Sequence, residues 1–149
     1  MSMGRKYVSL TISSVSYCVP LDNVVQVVRK ENILETPGAS TFVKGVISVR
    51  GDVIPVVDMR ARLGLSAARS QGKKRIVVIQ FGKRSYGLLV DDVREIIEIE
   101  GGEEPAGSPS LTPRLVRGAV QRGSASFYVL DLPEVFAIDM GLEARAVEE

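Results

Sequence analysis

The chain contains the same pattern twice, and that repetition constrains its fold more than any single motif. The stretch "SYCVPLDNVVQVVR" (16–29) lies over "SYGLLVDDVREIIE" (85–98), with Ser16, Tyr17, Asp22 and Val24 matching Ser85, Tyr86, Asp91 and Val93 at a constant offset of 69 residues. The same offset places Lys6-Tyr7-Val8 on Arg75-Ile76-Val77. Further on, "VKGVISVRGDVIPVVD" (43–58) lies over "VRGAVQRGSASFYVLD" (116–131), and Val43, Gly45, Val56 and Asp58 match Val116, Gly118, Val129 and Asp131 at an offset of 73. The offset grows inside "EGGEEPAGSPSLTP" (100–113), a polar Gly/Pro loop in which added length costs little. Whatever the first half builds, the second must build again. Neither half is long enough to bury much core alone, so the two should pack together.

Each half reads as strands joined by turns. In the first, YVSLTI (7–12), SYCVPL (16–21), VVQVVR (24–29), VKGVISV (43–49) and DVIPVVD (52–58) are short, β-branched and apolar. RIVVIQF, SYGLLV, VREIIEI, LVRGAVQ and SFYVLDL repeat the order. About five strands per half predict an all-β fold of two packed five-stranded small barrels with short helices at MRARLGL (59–65) and LPEVFAIDMG (132–141). The chain is expected to form one unit over 1–149, with an N-terminal strand at 5–13, a first barrel at 15–65, a second at 76–140 and a tail at 141–149. Pro20 and Pro55 fit strand edges or bulges better than central ladder positions.

Composition removes several classes of function. The formal net charge is +1 and aromatic residues make up 5%, which argues against nucleic acid or an anionic membrane as main partner. No apolar run approaches the ~20 residues that span a bilayer, so no membrane insertion is expected. There is no histidine, which removes the commonest general base and zinc ligand. Cys18 is the single cysteine, which fits a reducing cytoplasm and a small buried side chain. No phosphate-binding glycine loop occurs. The carboxylate pairs Asp91-Asp92 and Glu103-Glu104 read as turn capping and loop solvation, not catalysis. No catalytic residue, metal site or cofactor is expected.

The motifs "YCVPLDNVVQVVR" and "TPGASTFVKGVISVRGDVIPVVDMRARLGL" resemble the CheW family of chemotaxis coupling proteins over roughly residues 5 to 140. The resemblance implies two intertwined SH3-like β-barrels and no catalysis. It implies a cytoplasmic adaptor that joins the tip of a methyl-accepting chemoreceptor to the regulatory domain of a CheA-type histidine kinase. The chain departs from the family pattern at Gln26, where glutamate is usual, and at Ser48, where asparagine is usual; both bear on which partner is cognate.

Two segments are candidate sites. At the tip of the hairpin 43–58, Gly51 permits a tight turn, and Arg50 reads as a solvated flank on the residues alone or, by the resemblance, as a receptor contact together with Val49 and Gly45. In the strip Val24, Val25, Gln26, Val27 and Val28, alternation should turn one set outward as a kinase contact, either Val25 and Val27 or Val24 and Val28. The second copy carries charges at 94, 95 and 98, so the apolar face is expected on the first barrel only. A small-ligand or nucleic-acid-binding barrel is the competing expectation, and an Asp/Glu hydrolase a third.

Overall fold

The computed structural model describes residues 4–35, 41–65, 74–105, 113–138 and 140. Apart from Lys74, residues 66–74 between the two expected barrels lie outside them, as does the expected tail at 141–149. The elements are β1 (Arg5–Ile12), β2 (Val15–Pro20), β3 (Val24–Arg29), β4 (Leu34–Glu35), β5 (Val43–Val49), β6 (Asp52–Asp58), α1 (Met59–Arg62), β7 (Arg75–Phe81), β8 (Arg84–Val90), β9 (Asp92–Ile99), β10 (Val116–Arg122), β11 (Ala125–Leu130) and α2 (Leu132–Val135). Every expected strand is present. A two-residue strand, β4, was not foreseen, and it makes one sheet six-stranded. Its counterpart in the second half is a single bridge between Glu104 and Ala119. None of the described helices is long and apolar enough to cross a membrane.

The sheets cut across the sequence halves. One runs β10-β11-β2-β1-β9 and the other β3-β7-β8-β6-β5-β4. Each half thus lends its first hairpin to the barrel of the other, and the expected division into a barrel at 15–65 and a barrel at 76–140 is corrected accordingly. Two parallel ladders make the exchange. Val56 pairs with Gly87 between β6 and β8, and Val129 pairs with Cys18 between β11 and β2. These are one junction made twice, since Gly87 matches Cys18 and Val129 matches Val56 in the repeat. Both sites demand a small residue. A Cβ at position 87 would stand 2.8 Å from Ile76 Cγ2 and 3.2 Å from Val56 Cγ2. Cys18 is fully buried, and burial pushes its thiol up to about 12, as an inert packing residue requires.

The exchange explains why the strands read as apolar runs. A strand at the junction has core on both sides. Val77, Ile79, Leu88 and Val90 face a central cluster drawn from both sheets, with Leu10, Tyr17, Met59, Leu130 and Val135. Ile76, Val78 and Leu89, on the other faces of the same strands, fill the six-stranded barrel with Ile47, Val49, Ile54 and Val56. Tyr7, Cys18, Ile97, Ile99, Val120 and Val129 fill the five-stranded one. Pro55 lies inside the central strand β6, against the expectation of an edge. It pairs with Val46 on one side, and on the other the parallel ladder begins one residue later, at Val56. Its missing N–H therefore breaks no bond in that ladder.

Bulges, caps and turns repeat as well. The register shifts after Val43 in β5 and after Val116 in β10, next to the matched glycines Gly45 and Gly118. At both, a Cβ would press on a backbone carbonyl oxygen, that of Leu34 or of Glu104. Asp58 caps α1 by accepting from the Arg60 N–H at 3.1 Å, and Asp131 caps α2 by accepting from the Glu134 N–H at 3.3 Å. After α1, Gly64 adopts φ 78° and the Leu65 N–H donates to the Arg60 carbonyl, closing the helix as the sequence predicts.

Three polar contacts lock the halves. Arg60 forms a two-pronged pair with Asp91 at 3.1 and 2.9 Å, and Asp91 also accepts the Ser13 N–H at 2.7 Å. Glu103 takes Arg117 in the same way at 2.9 and 2.7 Å and accepts the Tyr7 hydroxyl at 2.8 Å. Arg62, 5% exposed, donates to the Val135 and Glu134 carbonyls at the end of α2 and lies over the Phe42 ring. The loop-solvation reading of Glu103 is thereby corrected: it is a tie between β1 and β10.

Burial alone would raise the Asp91 carboxyl, but the Arg60 guanidinium and the Ser13 N–H outweigh it and hold it below its ordinary value. Arg117 first, then Tyr7, hold Glu103 below its own. A depressed folded value stabilises above the unfolded one and is lost as pH falls through the folded one. Stability should therefore be flat above about pH 5 and fall steadily below the unfolded values, 3.8 for Asp91 and 4.5 for Glu103. Asp91→Asn should cost about 2 kcal/mol at pH 7, the scale of a charged hydrogen bond, and flatten the acid limb. Urea midpoints between pH 3 and pH 7 measure both; an acid limb unchanged in Asp91→Asn would remove Asp91 from the account.

Candidate functional site

The hairpin of β5 and β6 closes on two residues, because Val49 pairs directly with Asp52. Arg50 has φ 54° and Gly51 φ 86°, the double left-handed turn that matches strand twist. Glycine, asparagine or aspartate is the usual first residue of such a turn. Arg50 is thus the strained first residue of the turn and not its flank, at a cost of roughly 1 kcal/mol. The matching turn in the second half has Gly123 at φ 64°, in the position of Arg50, with no strain. The Arg50 side chain is exposed, and none of the described residues engages its guanidinium.

Of the other two residues expected beside it, Val49 is 8% exposed and points into the barrel core, and Gly45 lies beneath β4. They shape the hairpin from within. The outward face leading away from the turn carries Ser48 and Val53, which pair with each other, and beyond them an apolar group. Val53, two residues on from Gly51, is 69% exposed, and Leu34 is 70% exposed. The ladder sets Leu34 against Val46 and Val46 against Pro55, so these share one outward face of β4, β5 and β6 with Val53. An exposed guanidinium bordering an apolar face is the composition of an interface centre. Sequence reasoning missed Val53 and Leu34. The signal for Val53 was present, since strict alternation from the inward pair Ile54 and Val56 puts it outside.

The strip on β3 does not alternate cleanly. The register against β7 slips between Val24 and Gln26, and the slip breaks the period of two. Val24 packs against the central cluster, whereas Val25 and Val28 pack into the six-stranded barrel. Gln26 is half-buried, and Val27, at 40% exposed, is the apolar side chain of the strip most open to solvent. Neither expected pair faces outward together. The second barrel is not free of apolar surface either: Ile96, which matches Val27 at the 69-residue offset, is 58% exposed. The expectation of an apolar face on the first barrel alone is corrected, because the charges of Arg94, Glu95 and Glu98 flank Ile96 without covering it.

Among the described residues no group of three or more His, Cys, Asp and Glu side chains gathers to hold a metal. A surface cleft of about 460 Å³ lies on the five-stranded barrel between Val15, Ile99, Gly102, Gln121 and Tyr128.

Arg50→Asn should raise stability by about 0.5–1 kcal/mol, because asparagine tolerates the left-handed region and arginine does not. Arg50→Val should lower it by more, since a β-branched residue fits that region worst. Thermal melts of the two variants check the assignment; equal melting would mean the turn carries no strain.

Comparison with known proteins agrees with this architecture. The profile of the CheW-like domain matches residues 6–139. The chain is 35% identical to the chemotaxis protein CheW of Rhizobium meliloti over 136 residues, covering 89% of this chain and 88% of that protein. It is 27% identical to the chemotaxis protein CheW of Bacillus subtilis over 131 residues, covering 86% and 84%. The crystal structure of the scaffolding protein TtCheW from Thermoanaerobacter tengcongensis superposes with a TM-score of 0.83 at 26% identity, covering 92% of this chain and 95% of that one. With its exchanged hairpins, its paired barrels and a match along nearly its whole length, the chain belongs to the CheW-like domain family.

Proposed function

We propose that the protein is a non-catalytic cytoplasmic adaptor that couples the tip of a methyl-accepting chemoreceptor to the regulatory domain of a CheA-type histidine kinase. One observation carries this reading. A strained, exposed and unengaged Arg50 sits at the border of an apolar face, and its twin position holds an unstrained glycine. Ser13 is strained where its twin Gly82 is not, but its N–H is bound to Asp91; Arg50 has no such internal tie among the described residues, and that favours a contact outside the fold. The relatives named chemotaxis proteins and the scaffolding protein with the same fold support the same reading.

In this proposal Arg50 meets the receptor, with Val49 and Gly45 holding the hairpin that presents it and Val53 beside it. The strand Val24, Val25, Gln26 and Val27 meets the kinase through its exposed member, Val27. No bond is made or broken. The adaptor holds receptor and kinase in one geometry, and a receptor change shifts the population of kinase states.

Arg50→Asn should weaken binding of a soluble receptor-tip bundle roughly thirtyfold, the loss of a hot-spot arginine, although it stabilises the fold. Arg122→Ala should leave that binding within twofold, since Arg122 flanks the twin turn and, among the described residues, forms an ion pair only with Glu95 at the surface, at 3.7 Å. Val27→Asp should melt nearly as the native protein does and lose kinase binding, whereas Val25→Asp should unfold the barrel by burying an unpaired charge. Calorimetric titration and co-sedimentation with a receptor tip and a kinase regulatory domain decide it. Saturable binding to neither would leave a small-ligand barrel, with the cleft beside Tyr128 as its site.

A further inference from the structure

A second region carries chemistry that neither the fold nor the adaptor reading uses. Arg29 on β3 stands directly opposite Arg75 on β7. Like charges facing each other across an antiparallel pair are destabilising. The duplication supplies an internal control. The residues matched to this pair by the 69-residue offset are Glu98 and Lys6, which also face each other directly, between β9 and β1. The same ladder position therefore holds a complementary pair in one barrel and two guanidinium groups in the other. Lys30 and Lys74 adjoin the arginines, and Glu31 is the one carboxylate in the stretches 29–31 and 74–75. Arg29 and Lys30 are exposed, and Lys74 and Arg75 are half-buried. One Arg75 nitrogen donates to the Lys74 carbonyl at 3.3 Å, which anchors that guanidinium at the strand end.

We propose that this end of the six-stranded barrel is a docking surface for a carboxylate-rich segment of a protein partner, with a Glu or Asp side chain seated between Arg29 and Arg75. A guanidinium presents a planar fork that suits a carboxylate, and two forks on adjacent strands can hold one from both sides. The net charge of +1 and the few aromatic residues favour a protein carboxylate over a nucleic-acid phosphate. Arg50 lies elsewhere, on the turn between β5 and β6, so this surface stands whether or not the chain couples a receptor to a kinase.

The test is a titration of the isotope-labelled full chain with a hexaglutamate peptide at low salt, followed by amide shifts. The shifts should cluster at residues 29–31 and 74–76, and affinity should drop severalfold or more at 0.3 M salt. Arg29→Glu, which recreates the charge pattern of the other barrel, should lose at least tenfold in affinity. The same variant should melt about 1–3 °C higher, because a repulsive pair becomes an attractive one. Arg75→Glu does the same from the opposite strand and should behave alike. Scattered shifts, affinity unchanged from the native chain in both variants, or lower melting in both would overturn the proposal. So would tighter binding of pyrophosphate or a DNA duplex at the same residues, since the surface would then be a phosphate site.

Discussion

Everything in this fold depends on two short parallel ladders. Val56 beside Gly87 and Val129 beside Cys18 are where one half enters the barrel of the other. Parallel pairing needs a long crossover, and the chain supplies one by letting each hairpin cross to the far barrel. The consequence is energetic. A repeat of this size that kept its hairpins would own a small core and meet its twin through a surface. With the hairpins exchanged, β7 and β8 carry one barrel interior on one face and the central cluster on the other. The barrels cannot separate without breaking ladders, so the two outward surfaces keep a fixed relation. That rigidity suits the adaptor role proposed above.

Much of this was legible in the residues. The strand list, the duplication, the two short helices and the inert Cys18 all follow from spacing and residue type, which act over a few positions. The hairpin exchange was not legible in the residues themselves, and only the family resemblance implied it, because strand partnership is a long-range choice that the apolar pattern does not encode. A strand buried on both faces looks the same whichever barrel it joins. The ties by Asp91 and Glu103 were missed for a related reason: their partners Arg60 and Arg117 lie 31 and 14 residues away, and adjacent carboxylates in a turn look solvated until those partners arrive. At the candidate site, Arg50 was found, but its backbone strain was not. The first position of a two-residue turn carries that strain only if the hairpin closes without an extra residue. Val27 was found within a strip whose phase could not be read, because the bulge that sets one extra β3 residue, Val25, against β7 shows only once the two strands are paired.

A duplicated chain sorts its own residues. Positions that the packing needs are kept in both copies or replaced by an equivalent: Gly45 and Gly118 under a crossing backbone, Asp58 and Asp131 at the helix caps, Cys18 and Gly87 at the ladders. Positions free of that demand can drift apart, and most should drift toward lower strain or better pairing. Gly123 and the pair Lys6–Glu98 have done so. Arg50 and the pair Arg29–Arg75 have gone the other way: a left-handed arginine where the sister copy has glycine, and two like charges where it has a complementary pair. Where such a departure is bound inside the fold, as at Ser13, left-handed opposite Gly82 of the twin turn and tied by its N–H to Asp91, the fold itself accounts for it; Arg50 has no such tie among the described residues. The Arg50 turn and the Arg29–Arg75 pair lie on the six-stranded barrel, on opposite sides of the sheet order, β5–β6 and β3–β7.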